Sequence, residues 1–341
     1  MELDKFDYHL PRELIASYPK ERGKSGLMIL NRKKMSISHS IFEQLPEILD
    51  YPVMIVRNIT HVVKTRIYAR RSTGAGTEVL ILNPHSKGEC FEALIHKGGR
   101  LKKNEKLRVS RTSSIEVLGR ENEIFNIRVH SESPVEEFFE EHGHVPLPPY
   151  IRRPDEYVDR DTYQTVYSKV PGSSAAPTAG LHFSQDIIEQ LEDNGAEFID
   201  ILLHVGLGTF EPVKTESIEE HEMHSEYFSI SEDACLKLTD ARRENIPVLA
   251  IGTTSLRVLE TVYDAAARVY EPRTGFTDIF IHPPMKIHSA DMLLTNFHLP
   301  KSTLLMLVSS FAGRKFILNA YAEAVKKNYR FFSYGDSMLI R

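Results

Sequence analysis

The order in which different hydrophobic patterns follow one another most limits what this 341-residue chain can fold into. Beyond Tyr150, apolar runs of strand length alternate with helical patterns that begin at serine and end near glycine or asparagine. The predicted elements are a helix at 184–194, a strand at 198–203, a helix at 231–243, a strand at 248–251 and a helix at 255–267. Because alternating strands and helices pack as layers, this part of the chain predicts an α/β fold.

A different pattern lies between residues 66 and 129. Short β-rich runs follow one another there, separated by turn residues, and strands at this spacing favour a small barrel. An acidic helix predicted at 134–142 leads into a proline cluster at 146–149, which stiffens the chain and marks a domain junction. We therefore expect a discontinuous α/β sandwich domain at 1–65 and 150–341, with a small β-barrel domain inserted at 66–149.

Composition excludes several classes of protein. Hydrophobic residues at 41% and charged residues at 26% are ordinary for a globular chain and argue against disorder or a fibrous repeat. The sequence has no run of eighteen apolar residues and no apolar signal core at its N-terminus, so we expect no membrane partner. Cys90 and Cys235 are far apart, which fits a reducing compartment. We expect a cytoplasmic monomer.

The distribution of charge matters more than the net charge of -5. Between Thr60 and Arg111 the chain carries twelve basic residues against four acidic ones. Nucleic-acid binding depends on Lys and Arg, and Arg100, Lys102 and Lys103 form the densest basic group in this segment. The alternative interpretation is an ordinary solvated surface.

Two histidines occur where small residues crowd the ends of predicted strands, which is where open α/β sheets bind ligands. His182 lies in the small-residue run SSAAPTAGLHF, and His204 directly follows the strand predicted at 198–203. Behind His204 come Gly206, Gly208 and Thr209, which could expose backbone N–H groups to a ligand. The alternative is a tightly packed loop with a satisfied core histidine.

The pair His221 and His224 raises the possibility of a metal site. If the segment were helical, a spacing of three would place both rings on one face, and His204 could complete a triad. The spacing differs from HExxH, and the two cysteines form no cluster. We therefore expect no metal.

Further polar residues lie at the edges of other predicted strands. Thr253 and Thr254 follow the strand at 248–251 and open a helix, so they could hold an anion, although ordinary N-capping would also explain them. Arg257 is unusual near a helix start and therefore suggests a ligand. The remaining candidates, which apolar residues flank in the sequence, are Asp278, Asn296, His298 and the aromatic stretch at 329–334.

Eight stretches of the chain are informative when they are taken together and in order: PLPPYIRRP from Pro146, DTYQTVY from Asp161, AAPTAGLHF, LHVGLGTF, EEHEMHSE, GTTSLRVLE, LLTNFHLPKSTLLMLVSSFAG and YRFFSYGDSMLI. Together they resemble the S-adenosylmethionine:tRNA ribosyltransferase-isomerase family. The N-terminal part departs from the family pattern. Gly26 stands where the family reads arginine, and Ile59, His61 and Lys64 stand where it reads aspartate, arginine and proline.

The resemblance implies queuosine biosynthesis by tRNA modification. The ribosyl group of the co-substrate S-adenosylmethionine would be transferred and isomerised onto 7-aminomethyl-7-deazaguanine at the tRNA wobble position, leaving epoxyqueuosine, adenine and methionine. For proton transfer we favour His204, then His182 and His224, with Asp278 stabilising charge. The expected substrate-binding residues are Gly206, Gly208, Thr209, Thr253, Thr254, Arg257, Asn296 and His298.

Two other functions compete with this one. The N-terminal departures favour a tRNA-binding relative with impaired catalysis. Alternatively, HVGLGT could be the glycine loop of an S-adenosylmethionine-dependent methyltransferase. That loop should be followed by an acidic residue on the next strand, which the sequence does not show.

Overall fold

A computed structural model describes residues 1–86, 88–206, 213 and 215–341. The N-terminal segment contains β1 (Gly26–Asn31), β2 (Ser36–Ile41), α1 (Leu45–Ile48), β3 (Val53–Asn58) and β4 (Thr60–Val62). The middle segment contains β5 (Arg66–Arg70), β6 (Gly76–Ile81), β7 (Cys90–Ile95), β8 (Lys106–Arg108), β9 (Ser114–Glu121), β10 (Ile124–His130), α2 (Val135–His142) and β11 (Gly143–His144). The rest contains α3 (Asp159–Thr162), β12 (Val170–Ser173), α4 (Gln185–Asp193), β13 (Ala196–Leu203), β14 (Glu226–Ile230), α5 (Glu232–Glu244), β15 (Val248–Ile251), α6 (Gly252–Val262), β16 (Tyr263–Asp264), β17 (Val269–Tyr270), β18 (Arg273–Thr277), β19 (Met292–Asn296), α7 (Thr303–Ala312), α8 (Arg314–Lys326) and β20 (Ser337–Ile340).

The larger sheet joins strands from both ends of the chain. Within the described residues its order is β18-β14-β13-β3-β15-β19-β20-β1-β2. The four neighbours β13, β3, β15 and β19 run parallel, so their C-terminal ends meet at one edge. The mixed α/β class predicted from the sequence is confirmed.

Both faces are buried at the centre of this sheet. Along β3, Val53 and Ile55 belong to a core with α1 and α4, whereas Met54 and Val56 belong to a core with α5, α6, α7 and α8. This alternation is the period of two expected for a strand covered on both sides. Helices therefore cover the central strands on both sides.

Most predicted helix starts are confirmed by serine caps. The Ser184 and Ser231 hydroxyls accept backbone N–H groups of the first turns of α4 and α5. The prediction for α6 was wrong at both ends, since the helix begins at Gly252 and stops at Val262. Gly252 has a φ of 82° and turns the chain directly from β15 into the helix. Beyond Val262, β16 and β17 pair as a short hairpin.

The middle segment forms a second, antiparallel sheet with the order β11-β5-β6-β7-β10-β9-β8. A further pairing joins β5 to β8 at Arg70 and Arg108. This sheet has its own hydrophobic core, which α2 covers with Phe138 and Phe139. The strands predicted between residues 66 and 129 are thus present. Among the described residues no helix has the length and apolar character needed to span a membrane.

Candidate active site

A cleft lies at the edge where the parallel strands end. The space between its walls amounts to about 820 Å³, part of which is open solvent. Its walls come mainly from residues 176–179, 252–254, 295–300 and 332–333, together with Tyr150. These segments are far apart in sequence and meet because the sheet order places β15 beside β19.

The N-terminus of α6 forms one wall of the cleft. Thr253 and Thr254 line it, and both are buried. Binding of an anion by these two residues stays a prediction. The N-cap residue is Ile251, which provides no side-chain hydrogen bond to the first turn. The hydroxyl of Thr254 has no hydrogen-bond partner among the described residues. The N-capping alternative is therefore not what the structure shows.

Asn296 is oriented by contacts on both sides of its amide. Its Oδ1 accepts from the Thr178 hydroxyl at 2.9 Å, and its Nδ2 donates to the Phe332 carbonyl at 3.2 Å and to His182 Nε2 at 3.1 Å. Since His182 Nε2 accepts, its Nδ1–H donates to Ser25 Oγ at 2.8 Å. The network fixes one tautomer of His182 behind the wall of the cleft.

Burial keeps the histidines around the cleft neutral at pH 7. Desolvation lowers the pKa of His182 to about 4 and outweighs the neighbouring Asp336 carboxylate, which raises it. Desolvation also lowers the pKa of His298 to about 3, and His298 Nε2 bonds to Thr295 Oγ1 at 2.9 Å. His298 lines the cleft directly, whereas His182 reaches it through Asn296.

Two aromatic rings form another part of the wall. The ring centroids of Tyr150 and Phe332 are 4.1 Å apart, and the Tyr150 hydroxyl bonds to Ser333 Oγ. Aromatic faces of this kind attract a cationic group or stack on a planar base. The aromatic stretch at 329–334 therefore contributes to the cleft through Phe332, while Phe331 is fully buried in the core.

His204 lies beside the cleft rather than in its lining. Its Nδ1 bonds to Thr60 Oγ1 at 2.8 Å, and its ring lies 5.3 Å from that of His85. Burial first, and His85 second, lower its pKa to about 4. Its Cε1 and Nε2 are so close to Gly172 that a β-carbon there would lie 2.6 Å from each. The next residue, Val205, does line the cleft.

Arg257 has a different role from the one its position suggested. It lies in the second turn of α6, and its guanidinium forms a buried ion pair with Glu226 of β14. The same guanidinium donates to the Ile279 carbonyl at 3.3 Å. Its charge is thus paired inside the protein, where it links α6 to β14, and Arg257 does not line the cleft. A contact between Arg257 and substrate stays a prediction.

Two predicted catalytic residues lie outside the cleft lining. His224 and Asp278 are both exposed. The stretch at 221–225, which contains His221 and His224, is not helical. The nearest helix before it is the short 3-10 helix Ile218–Glu220. Among the described residues no group of three metal-ligating side chains is present.

The glycine-rich stretch is described only in part. Gly206 donates its N–H to Glu226 Oε1 at 2.9 Å, so it binds the same carboxylate as Arg257. Gly208 and Thr209 lie outside the described residues. Arg100, Lys102 and Lys103 are all exposed in the segment that connects β7 to β8 of the second sheet.

The four atypical residues lie away from the cleft lining. Gly26 N–H donates to Asp336 Oδ1 at 2.8 Å, and Lys20 Nζ contacts the same oxygen at 2.9 Å. The His61 ring bonds to Ser168 and Gln164, and Lys64 pairs with Glu140. Ile59 is partly buried against the core that contains α1 and α4.

Sequence reasoning missed several residues that build the site. Folding brings candidate residues into contact with side chains that are distant in sequence, namely those of Thr60, Ser25, His85 and Tyr150. Thr60 could have been found, because it follows the buried strand β3 just as His204 follows β13. The others come from distant segments with no strand-end signal.

Comparison with known proteins places the chain in a family. A family model described as "Queuosine biosynthesis protein" matches residues 3–340. The S-adenosylmethionine:tRNA ribosyltransferase-isomerases of Sulfurihydrogenibium sp. and Thermosipho africanus are each 47% identical, over 100% of this chain and of theirs. A crystal structure of S-adenosylmethionine tRNA ribosyltransferase from Thermotoga maritima is 34% identical with a TM-score of 0.56, covering 99% of this chain and 100% of that one. These matches confirm the resemblance seen in the motifs. The chain belongs to the queuosine biosynthesis protein family.

Proposed function

We propose that this chain transfers and isomerises the ribosyl group of S-adenosylmethionine onto 7-aminomethyl-7-deazaguanine at the tRNA wobble position. The aminomethyl nitrogen and the carbon next to the sulfonium each lose a proton, the nitrogen bonds to the ribosyl unit, and the ribosyl carbons close into a ring that carries the epoxide. The bonds from that unit to sulfur and to adenine break. Adenine takes up one of the two protons, the other is released, methionine leaves as a neutral thioether, and epoxyqueuosine remains on the tRNA.

The observation that carries this proposal is the convergence of distant motifs on one cleft. AAPTAG, GTTS, TNFHLP and FFS come from four separate parts of the chain, and each contributes to the cleft lining. All four lie in stretches that resemble the family.

The cleft suits a cationic co-substrate with a polar end. Phe332 and Tyr150 offer aromatic faces to a sulfonium or to adenine. Thr178 and Asn296 offer fixed hydrogen-bonding groups between the aromatic pair and α6. We propose that S-adenosylmethionine binds here.

We propose His204 as the group that accepts the proton made acidic by the sulfonium. It is neutral at pH 7, and the Thr60 hydroxyl fixes its ring at Nδ1. His182 is the second candidate. Asp278 and His224 are no longer proposed, because their exposure gives them no enclosed environment for such a step.

We propose that residues 66–149 form an inserted barrel domain that contacts the tRNA backbone. The exposed Arg100, Lys102 and Lys103 support this. The second sheet also reaches the site, since Ser174 Oγ donates to the Ile81 carbonyl at 3.2 Å and His85 packs against His204. We further propose a cytoplasmic reaction that needs no metal.

The proposal is tested by incubating the protein with S-adenosylmethionine and tRNA carrying 7-aminomethyl-7-deazaguanine, then analysing the nucleosides. We expect epoxyqueuosine to form. A protein that binds this tRNA and leaves its nucleosides unchanged would instead be a binding relative with impaired catalysis.

A further inference from the structure

We infer that the N-terminus of α6 binds the carboxylate of the amino-acid part of the co-substrate. This inference rests on the proposed function and assigns a direction to the ligand in the cleft. The amino-acid end lies at Gly252 and Thr254, and the nucleoside end extends toward Phe332 and Tyr150.

The start of α6 has unsatisfied hydrogen-bonding capacity. The first N–H groups of any helix lack intrahelical acceptors, and together with the helix dipole they favour an anion. At α4, α5 and α7 a serine hydroxyl caps the first turn, but at α6 Ile251 cannot do so. With eleven residues, α6 is long enough for this effect.

An unpartnered hydroxyl independently points to a ligand at the same place. Thr254 is 9% exposed, and its Oγ1 has no hydrogen-bond partner among the described residues. A buried hydroxyl without a partner is destabilising, so a ligand that accepts its hydrogen bond would remove that cost.

Gly252 leaves room beside this hydroxyl. A β-carbon at residue 252 would lie 3.5 Å from Thr254 Oγ1 and 3.6 Å from the Ala179 β-carbon. Both neighbours line the cleft. Gly252 therefore places no side chain between the helix start and these two neighbours.

The charge of the cleft favours a carboxylate over other groups at this end. Among the described residues that line it there is no Asp, Glu, Lys or Arg, and His298 is neutral. No acidic side chain competes for the helix N-terminus, so the carboxylate of the ligand would be the only anion there.

The nucleoside end follows from a continuous series of contacts. Ala179 adjoins Gly252, Thr178 bonds to Asn296, Asn296 bonds to the Phe332 carbonyl, and Phe332 packs on Tyr150. A ligand anchored at α6 by its carboxylate therefore reaches the aromatic pair with its sulfonium and nucleoside.

The test compares S-adenosylmethionine with its decarboxylated analogue, which keeps the ammonium and sulfonium. Calorimetric binding is measured for the wild type and Thr254→Val, each alone and with bound unmodified tRNA that cannot react. We expect Thr254→Val to weaken S-adenosylmethionine binding roughly tenfold, as for loss of a hydrogen bond to a charged group, and to spare the analogue.

Thr165→Val is the matched control, because Thr165 is another buried hydroxyl without a partner among the described residues and does not line the cleft. It should bind both ligands like the wild type. If the wild type binds the two ligands equally, or if Thr254→Val weakens both alike, the inference is wrong while the proposed function stands. A wild type that binds neither ligand with or without tRNA would overturn the proposed function as well.

Discussion

At residue 204, hydrogen bonding and burial combine to hold a neutral histidine at the sheet edge. The Thr60 hydroxyl fixes one ring nitrogen, and Asn58 in turn joins the ends of β3 and β13 by bonding to both backbone groups of Leu203. A histidine that is held by a hydrogen bond and buried in this way can serve either the packing of the core or catalysis. The two roles predict different results on substitution.

We predict that His204→Gln lowers kcat by roughly 100-fold or more, the usual share of general acid-base catalysis, while S-adenosylmethionine and tRNA still bind. Single-turnover rates and binding must be measured separately. His39→Gln serves as a control, because His39 lies outside the cleft lining and bonds to Tyr329. A folded His204→Gln protein with near-normal turnover would transfer the proposed role to His182.

The buried histidines also predict how stability depends on pH. The folded pKa values of His182 and His204 are about 4 and that of His298 is about 3, against 6.5 for an ordinary histidine. Below pH 6.5 the unfolded chain binds protons that the folded protein does not. The contribution of these histidines to the free energy of unfolding is therefore complete above pH 6.5. It is lost as the pH falls toward 4, by up to about 1.4 kcal/mol per pH unit for each histidine.

This loss is measured from urea unfolding between pH 7 and pH 4.5. His182→Gln should show a smaller slope than the wild type, and the exposed His288→Gln should match the wild type. An unchanged slope in His182→Gln would show that His182 does not remain neutral in the folded state.

At the scale of elements, the join between α6 and β14 depends on the buried pair of Arg257 and Glu226. Their side chains are each 4% exposed, so replacing Glu226 leaves the Arg257 charge in the interior without this carboxylate. We predict that Glu226→Gln lowers the free energy of unfolding by about 3 to 5 kcal/mol.

The double variant Arg257→Met with Glu226→Gln should lose less than the sum of the two single variants, because it no longer buries an unpaired charge. Urea denaturation of the wild type and the three variants measures this coupling. Additive losses would mean that the two side chains do not stabilise the protein as a pair.

Local sequence signals predicted the start of each helix that begins with a capping side chain. They did not predict helix starts or side-chain partners that depend on contacts between distant parts of the chain. Ser184 and Ser231 placed the starts of α4 and α5 correctly, because each cap acts within its own turn. Gly252 begins α6 without a capping side chain, so no local signal marked it. Likewise, Arg257 resembled a ligand contact because its partner Glu226 lies on another strand.

At the scale of the whole molecule, basic charge is concentrated on the second sheet while the cleft lies on the first. We predict that replacing Arg100, Lys102 and Lys103 by alanine weakens tRNA binding and flattens its dependence on salt, because fewer counterions are released. The matched control replaces the exposed Lys33, Lys34 and Lys315, which changes the net charge equally. If the two triple variants bind tRNA with equal affinity and equal salt dependence, the second sheet does not contribute to the tRNA interface.

The sequence also predicted which strand ends carry polar residues, since His204, Thr253, Thr254 and Asn296 all follow or end strands of one sheet. It could not show that Thr253, Thr254 and Asn296 share a cleft that His204 only adjoins. That depends on the order in which strands from both ends of the chain assemble, which is set by long-range packing.

The most direct test of the central claim follows the carbon of S-adenosylmethionine during one turnover. The protein is mixed with tRNA bearing 7-aminomethyl-7-deazaguanine and with S-adenosylmethionine labelled either in the ribosyl carbons or in the methyl group. The account predicts that the ribosyl label enters the tRNA, that adenine and methionine appear in equal amounts, and that the methyl label stays with methionine. Methyl label on the tRNA, or tRNA that binds and acquires neither label, would contradict it.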